Sequence, residues 1–312
     1  MNVLLTGATG FLGSRLVKNL DAKQDVILTA AVRRITQISA GRTLEVQSLN
    51  ANTDWSTALA NQQVVIHAAA RAHIMKYEVS DPLAEYRRIN VDGTLNLARQ
   101  TAAAGVDRFI FISSIKVNGE LTPLGQPFTA DDTAAPEDAC GITKWEAEQG
   151  LKKIAAETGM EVVIIRPPLV YGPNVKGNFA SMINLVERGF PLPLGAIHNQ
   201  RSLVALDNLV DFIITCIDHP AASNQVFLAG DGQDLSTTEL LRGVAKAAGK
   251  PSRLIPFPSS LLMLVATFLG KKAVAQRLLG SFQVDISKAR DLLGWQPPIS
   301  VEEGLRRCFI KD

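Results

Sequence analysis

Residues 1–20 read MNVLLTGATGFLGSRLVKNL, and this stretch decides the architecture. Val3–Thr6 is a short apolar run, Gly7, Gly10 and Gly13 follow at three-residue spacing, and Phe11–Leu20 carries apolar residues at helical intervals. Strand, glycine turn and helix in direct succession make a βα unit suited to a pyrophosphate. Glycine lets the backbone approach the phosphates, and the helix N-terminus presents unpaired amides and the positive end of its dipole. A glycine triplet alone is weak evidence, but here the strand before it and the helix after it supply the required context. The loop Gly7, Thr9, Gly10, Phe11, Leu12 and Gly13 is therefore the candidate dinucleotide cradle.

Outward from this unit, short apolar runs alternate with helical patterns. Strands are predicted at Val3–Thr6, Val26–Val32, Leu44–Val46, Val64–His67, Phe109–Ser113 and Glu161–Arg166, and helices at Phe11–Leu20, Asn90–Ala104 and Gly141–Thr158. Continuous apolar strands separated by helices imply right-handed crossovers and a parallel sheet covered on both faces. The fold class read from this is α/β, a Rossmann-type doubly wound parallel sheet with a smaller C-terminal lobe. Beyond Pro167 glycine and proline punctuate the chain. The predicted division is a dinucleotide-binding domain over 1–170, to which 203–230 returns with a helix at Asp207–Ile217, and a second lobe formed by 171–202 and 231–312.

The end of the second strand selects the cofactor in such a fold. A carboxylate there bonds a free ribose 2′-hydroxyl, whereas arginine accommodates a 2′-phosphate. The sequence reads Ala31-Val32-Arg33-Arg34, which favours NADP(H), with NAD(H) as the alternative if the pair is merely a solvated surface feature. The charge balance, 32 Lys+Arg against 30 Asp+Glu, gives no nucleic-acid footprint. Cys140, Cys216 and Cys308 have neither CxxC spacing nor an even count, and the four histidines do not cluster, so no metal and a reducing, cytoplasmic setting are expected. No signal-peptide pattern precedes the first strand.

Several further motifs stand in a characteristic order: His67-Ala68-Ala69-Ala70, Asn90-Val-Asp-Gly-Thr94, Ser113-Ser114, Lys144 within CGITKWEAE, Arg166-Pro-Pro-Leu-Val-Tyr-Gly-Pro173 and Leu293-Gly-Trp-Gln-Pro297. With GATGFLG they resemble the extended short-chain dehydrogenase/reductases along essentially the whole chain. The nearest subgroup is the bacterial NAD-dependent epimerase/dehydratase proteins, which include UDP-4-keto-sugar reductases and 4-epimerases of surface-polysaccharide synthesis. The resemblance implies a nucleotide-sugar oxidoreductase moving a hydride between NAD(P)(H) and sugar C4, with the C-terminal lobe binding substrate. It adds Ser48, Leu49, Ala68, Ala69, Ala70, Asn90, Lys144 and Pro167 to the cofactor contacts, Ser114, Lys116, Asn178 and Arg201 to the substrate contacts, and a homodimer formed through helices around 84–104 and 140–158.

The same resemblance exposes departures. In the family a Tyr-x-x-x-Lys pair shares one helix face, the lysine lowering the phenol's pKa so that it exchanges a proton with the sugar oxygen. Ser114 and Lys144 are in place, but position 140 is cysteine. A thiol beside an ammonium ionises readily; its shortness is the obstacle. A phenol oxygen lies roughly 6.5 Å from its Cα and a sulfur only about 3 Å, a gap of about one water. Three readings stay open: an intact enzyme impaired by Cys140, a weaker activity relayed through water or Ser114, or a non-catalytic cofactor-binding structural or redox-sensing module. None of the tyrosines, Tyr77, Tyr86 and Tyr171, lies four residues before a lysine.

Ile115 and Lys116 stand where the dehydratases of the family carry an Asp-Glu pair, which disfavours 4,6-dehydration, and Asn118 replaces a common tyrosine, with an expected effect on substrate contacts. Ser48 replaces a common aspartate near the adenine. Arg33 and Arg34 favour a 4-keto reductase over a 4-epimerase. His73 and His198 read as ordinary loop histidines. Residues 254–270 carry no charge, but Pro256 and Pro258 interrupt them, and Leu261–Leu269 is shorter than the roughly 20 residues needed to span a bilayer. A buried or partner-facing helix is expected there, with peripheral membrane contact as the alternative.

Overall fold

A computed structural model describes residues 1–35, 41–46, 48–71 and 81–310; His73 and Tyr77 lie outside them. Seven strands form a wholly parallel sheet: β1 (Asn2–Thr6), β2 (Ile27–Val32), β3 (Arg42–Glu45), β4 (Val64–His67), β5 (Arg108–Ile112), β6 (Glu161–Arg166) and, after two intervening short strands, β9 (Val226–Leu228). The intervening pair, β7 (Leu169–Tyr171) and β8 (Leu203–Ala205), makes a separate two-stranded parallel ribbon. The order β3-β2-β1-β4-β5-β6-β9 reverses direction between β1 and β4, and a crevice opens at such a switch point beyond the strands' carboxyl ends.

The helices are α1 (Phe11–Asp21), α2 (Ser56–Leu59), α3 (Pro82–Arg87), α4 (Thr94–Ala103), α5 (Ala139–Thr158), α6 (Asn178–Glu187), α7 (Leu206–Asp218), α8 (Thr237–Ala247), α9 (Ser259–Phe268), α10 (Lys272–Leu279), α11 (Ser287–Leu293) and α12 (Val301–Arg307). Alternate strand residues face opposite layers, as the two-residue period requires. Val3, Leu5, Ala30, Ile66, Ile110 and Ile165 pack under α1 and α7, while Leu4, Val65, Phe109, Phe111 and Ile164 pack under α4 and α5. Tyr171 and Phe179 join Leu203, Leu240, Leu241 and Leu305 in a further cluster between β7–β8 and α6, α8 and α12.

Several boundaries differ from those read in the sequence, each for a local reason. Asp138 accepts a hydrogen bond from the Gly141 amide at 2.8 Å, so its side chain caps the helix and α5 begins at Ala139 rather than Gly141. The predicted Asn90–Ala104 helix opens as a wide π turn over Arg88–Gly93, and the regular helix α4 begins only at Thr94. β9 is three residues long, too short for a periodicity to emerge.

Candidate functional site

The site lies where β1, β4, β5 and β6 end, and its first component is the glycine turn. Gly7 has φ +75°, and a Cβ there would lie 2.7 Å from the Ala69 nitrogen. A Cβ on Gly13 would lie 2.0 Å from the Gly7 carbonyl oxygen. Side chains are therefore excluded at both positions, by backbone conformation at Gly7 and by the approach of α1 to the turn at Gly13. Gly10 caps α1 without a side-chain hydrogen bond, so no side chain occupies the first-turn amides beside exposed Thr9 and Gly10. Such a turn of bare backbone is a fitting cradle for a dinucleotide pyrophosphate.

Ala68, Ala69 and Ala70 follow β4 directly against this turn. His67 beneath them is fully buried, paired through Nδ1 with Thr6 Oγ1 at 2.7 Å and through Nε2 with Thr94 Oγ1 at 3.0 Å. Burial, helped by the Lys144 charge, holds its pKa down at about 3. It is a neutral strut that ties β1, β4 and α4 together. Asn90, assigned to the cofactor by resemblance, spends its side chain on the protein: its oxygen accepts from the Arg71 amide at 2.9 Å and its NH2 donates to the Arg71 carbonyl at 3.1 Å. Ser48 accepts from Asn50 at 2.9 Å, and Leu49 presses against Gly93. Arg33 and Arg34 stand exposed at the end of β2, and neither forms an ion pair among the described residues.

Beyond β5, Ser114 caps a single 3-10 turn over Ile115–Val117 and is partly exposed. The Ile115 amide donates to the Pro167 carbonyl at 3.1 Å, binding this turn to the end of β6. Lys144 comes from α5 and is buried; its Nζ donates to the Ile112 carbonyl at 2.6 Å and lies 4.4 Å from the Phe111 ring centre. Burial lowers its pKa to about 8, despite the opposing influence of Cys140 and Glu148. It is thus a cation held next to the Ser114 strand end near neutral pH.

Cys140 sits one helical turn before Lys144, on the same face. Burial pushes its thiol above the ordinary value; Lys144 pulls it down, and neighbouring Asp138 adds to the rise. The expectation that the ammonium would leave this thiol readily ionised is therefore corrected: desolvation outweighs the lysine. Asp138 also receives Lys116 Nζ in a short ion pair, and a Cβ on Gly141 would lie 2.6 Å from the Lys116 carbonyl oxygen. The Ser114–Lys116 turn and the first turn of α5 are consequently locked together. Burial works against the Lys116 ammonium, but Asp138 and Glu120 hold its pKa above the usual value.

One constellation was not legible in the sequence. Glu148, fully buried on α5, accepts from Ser113 Oγ at 2.5 Å and from Arg166 at 3.0 and 2.6 Å. Arg166 also donates to Asn118 at 2.9 Å, and Asn118 in turn donates to the Thr129 carbonyl at 2.8 Å. Asn118 is 2% exposed and its side chain is engaged with Arg166 and the Thr129 carbonyl. Tyr171 is likewise unavailable to replace the missing phenol: it is buried, donates to Asp231 at 2.7 Å and has its pKa raised by burial and by that carboxylate.

Beyond the ribbon strand β7, Asn178 is exposed at the first turn of α6. Arg201 donates from Nη1 to the carbonyls of Arg277 at 2.6 Å and Gly280 at 3.2 Å, and burial lowers its pKa. His198 is exposed. Among the described residues no group of His, Cys, Asp and Glu is placed to hold a metal ion, and no helix is long and apolar enough to cross a membrane.

Parallel strands winding both ways from a glycine-lined crevice, with a lysine-bearing helix alongside, are the construction of the extended short-chain dehydrogenases. The chain belongs to the NAD dependent epimerase/dehydratase family, whose profile it matches over residues 3–230. It is 51% identical over 307 residues to UDP-glucose 4-epimerase of Vibrio cholerae, an alignment covering 98% of this chain and 94% of that protein. Its fold is shared with UDP-glucuronic acid 4-epimerase of Bacillus cereus, solved with NAD, at a TM-score of 0.77 and 22% identity, covering 98% and 97% of the two chains. RMD of Pseudomonas aeruginosa, solved with NADPH, matches with a TM-score of 0.75 at 21% identity over 99% and 98% of the chains.

Proposed function

We propose that the chain acts on UDP-sugars at C4 as a nicotinamide-dependent 4-epimerase, with its proton chemistry weakened by Cys140. The observation that carries this reading is Lys144, desolvated and aimed at the Ile112 carbonyl directly behind Ser114, in a chain half identical to a protein named for that activity. A bound nicotinamide would supply the hydride acceptor and donor. Gly7, Gly10 and Gly13 would hold its pyrophosphate by backbone amides, and Ala68–Ala70 and Pro167 would line its path toward Lys144.

The residues' own parts follow from their chemistry. Ser114 holds the sugar hydroxyl in a hydrogen bond. Lys144 sustains positive charge where the sugar oxygen gives up its proton, lowering the cost of the alkoxide. Cys140 is short and poorly ionised, so the sugar hydroxyl's proton passes through Ser114 or a bridging water to solvent and is regained by the same route, at a slower rate than a phenol would give. Asn178 and Arg201 contact the nucleotide diphosphate; Arg201 would do so by exchanging its carbonyl partners for phosphate oxygens, a charge-assisted bond that guanidinium makes in bidentate form. The same reading includes a homodimer through α4 and α5.

A second reading, the 4-keto reductase with NADP(H), is favoured by one observation: Arg33 and Arg34 are exposed at the end of β2, where a 2′-phosphate would lie, and form no ion pair among the described residues. One experiment separates the two. The chain is incubated with UDP-glucose and catalytic NAD, and separately with a UDP-4-keto-sugar and stoichiometric NADPH, and products are followed by proton NMR. Appearance of UDP-galactose supports the epimerase and NADPH consumption the reductase; neither product from the Cys140→Tyr form, with UDP unbound in calorimetry, overturns both.

A further inference from the structure

The apolar surface of the second lobe is concentrated on one hairpin. α9 has no buried residue, and Leu261, Leu264, Val265, Phe268, Leu269 and Val274 are 43–84% exposed. A contiguous patch of this kind marks a contact surface rather than scattered surface leucines. The flanking charge has a single sign. From Lys250 to Val284 the sequence contains Lys250, Arg253, Lys271, Lys272 and Arg277 and not one carboxylate, although the chain as a whole is nearly neutral. All five cations are exposed. Only Arg277 meets a carboxylate among the described residues, Glu120 at 3.9 Å.

We propose that the α9–α10 hairpin docks on an anionic lipid bilayer. Phe268, Leu269 and their apolar neighbours enter the boundary between headgroups and acyl chains, while Lys271, Lys272 and Arg277 meet lipid phosphates. Ten residues of helix span about 15 Å, half of a hydrocarbon core, so α9 lies in the interface and does not cross it. The lysines directly after Phe268-Leu269 have stems long enough to stay in the headgroup layer while the rings and branched chains go deeper. A second copy of the chain is a poor occupant, because a symmetric contact would set one cationic belt against another. Arg201 ties the end of this hairpin to the body of the chain through the Arg277 and Gly280 carbonyls. The proposal goes beyond the sugar-nucleotide chemistry and stands independently of it.

The full chain is sedimented with phosphatidylcholine vesicles, with and without phosphatidylglycerol, at low and high salt. It is expected to partition onto the phosphatidylglycerol vesicles and to be released by salt. Lys271→Gln with Lys272→Gln is expected to weaken partition by about 25-fold, at about fivefold per cation, and Phe268→Ser with Leu269→Ser by about tenfold or more. Both double variants alter exposed side chains and keep the parent's melting temperature. No binding to anionic vesicles, or binding untouched by both variants, overturns the proposal. So does a dimer in sedimentation velocity that Phe268→Ser dissolves, which would assign the patch to self-association.

Discussion

Restoring a phenol at position 140 is the sharpest perturbation of the site. The Cys140→Tyr change carries the acidic atom from about 3 Å to about 6.5 Å from Cα, which closes the gap otherwise bridged by one water. It leaves Lys144 where it is, since Lys144 is held by the Ile112 carbonyl and the Phe111 face rather than by Cys140. The thiol it removes is pushed above its usual pKa by burial and is therefore mostly neutral at pH 7, unable to serve as the base. Positioned general acid–base catalysis contributes about 10²- to 10⁴-fold. Cys140→Tyr is accordingly expected to raise kcat for UDP-sugar epimerisation by at least about 10²-fold, with little change in KM because the sugar contacts are untouched. The assay is conversion of UDP-glucose to UDP-galactose by a coupled galactose-detection reaction, on protein shown to bind cofactor. A folded, cofactor-binding Cys140→Tyr protein no faster than the parent would refute the reasoning, and proton transfer would then have to run by another route.

Three further outcomes follow from the buried groups and the strand ends. Glu148→Gln leaves Arg166, whose side chain is 5% exposed, without its counter-charge and should cost about 3–5 kcal/mol in urea unfolding; replacing Arg166 by Met in the same protein should recover much of that loss. His67 is held neutral with a pKa of about 3 by burial and by Lys144, so the unfolded chain takes up a proton that the folded one refuses. Stability should therefore fall as pH drops from about 6.5 toward 3, by about 1.4 kcal/mol per pH unit, and His67→Gln should flatten that slope by one proton. Arg33→Ala with Arg34→Ala should weaken NADPH by about tenfold or more while barely changing NADH; equal losses for both cofactors would remove the arginines from the 2′-phosphate.

The doubly wound sheet was legible because its evidence is local. The glycine turn, the continuous apolar strands and the helical spacing of Phe11–Leu20 each span a few neighbours in sequence. The start of α5 was readable in principle, since Asp138 has the chemistry of a helix cap three residues before Gly141, yet the apolar pattern alone placed it later. The strut made by Glu148, Arg166, Asn118 and Ser113 was not readable. Its hydrogen-bonded pairs lie up to 48 residues apart, and a glutamate on an otherwise mixed helix gives no sign that it points inward. The framework hydrogen bonds of Asn90 with Arg71 and of Asn118 with Arg166 and Thr129 were not readable either, because their partners lie 11 to 48 residues away. The apolar 261–269 stretch reads as a buried or partner-facing helix, with peripheral membrane contact as the alternative; most of it lies in α9, which has no buried residue, so its apolar side chains are left for an outside surface rather than for the core.

Everything said of the chemistry depends on the backbone amides around Gly7, Gly10 and Gly13 holding a dinucleotide so that its nicotinamide reaches Lys144. The direct measurement is a titration of the purified full chain with NADH and with NADPH, followed by nicotinamide fluorescence and by displacement with the oxidised forms. Saturable binding of at least one of the pair, at one site per chain, is expected. A chain that takes up neither cofactor, while unfolding cooperatively as an intact protein, would contradict it.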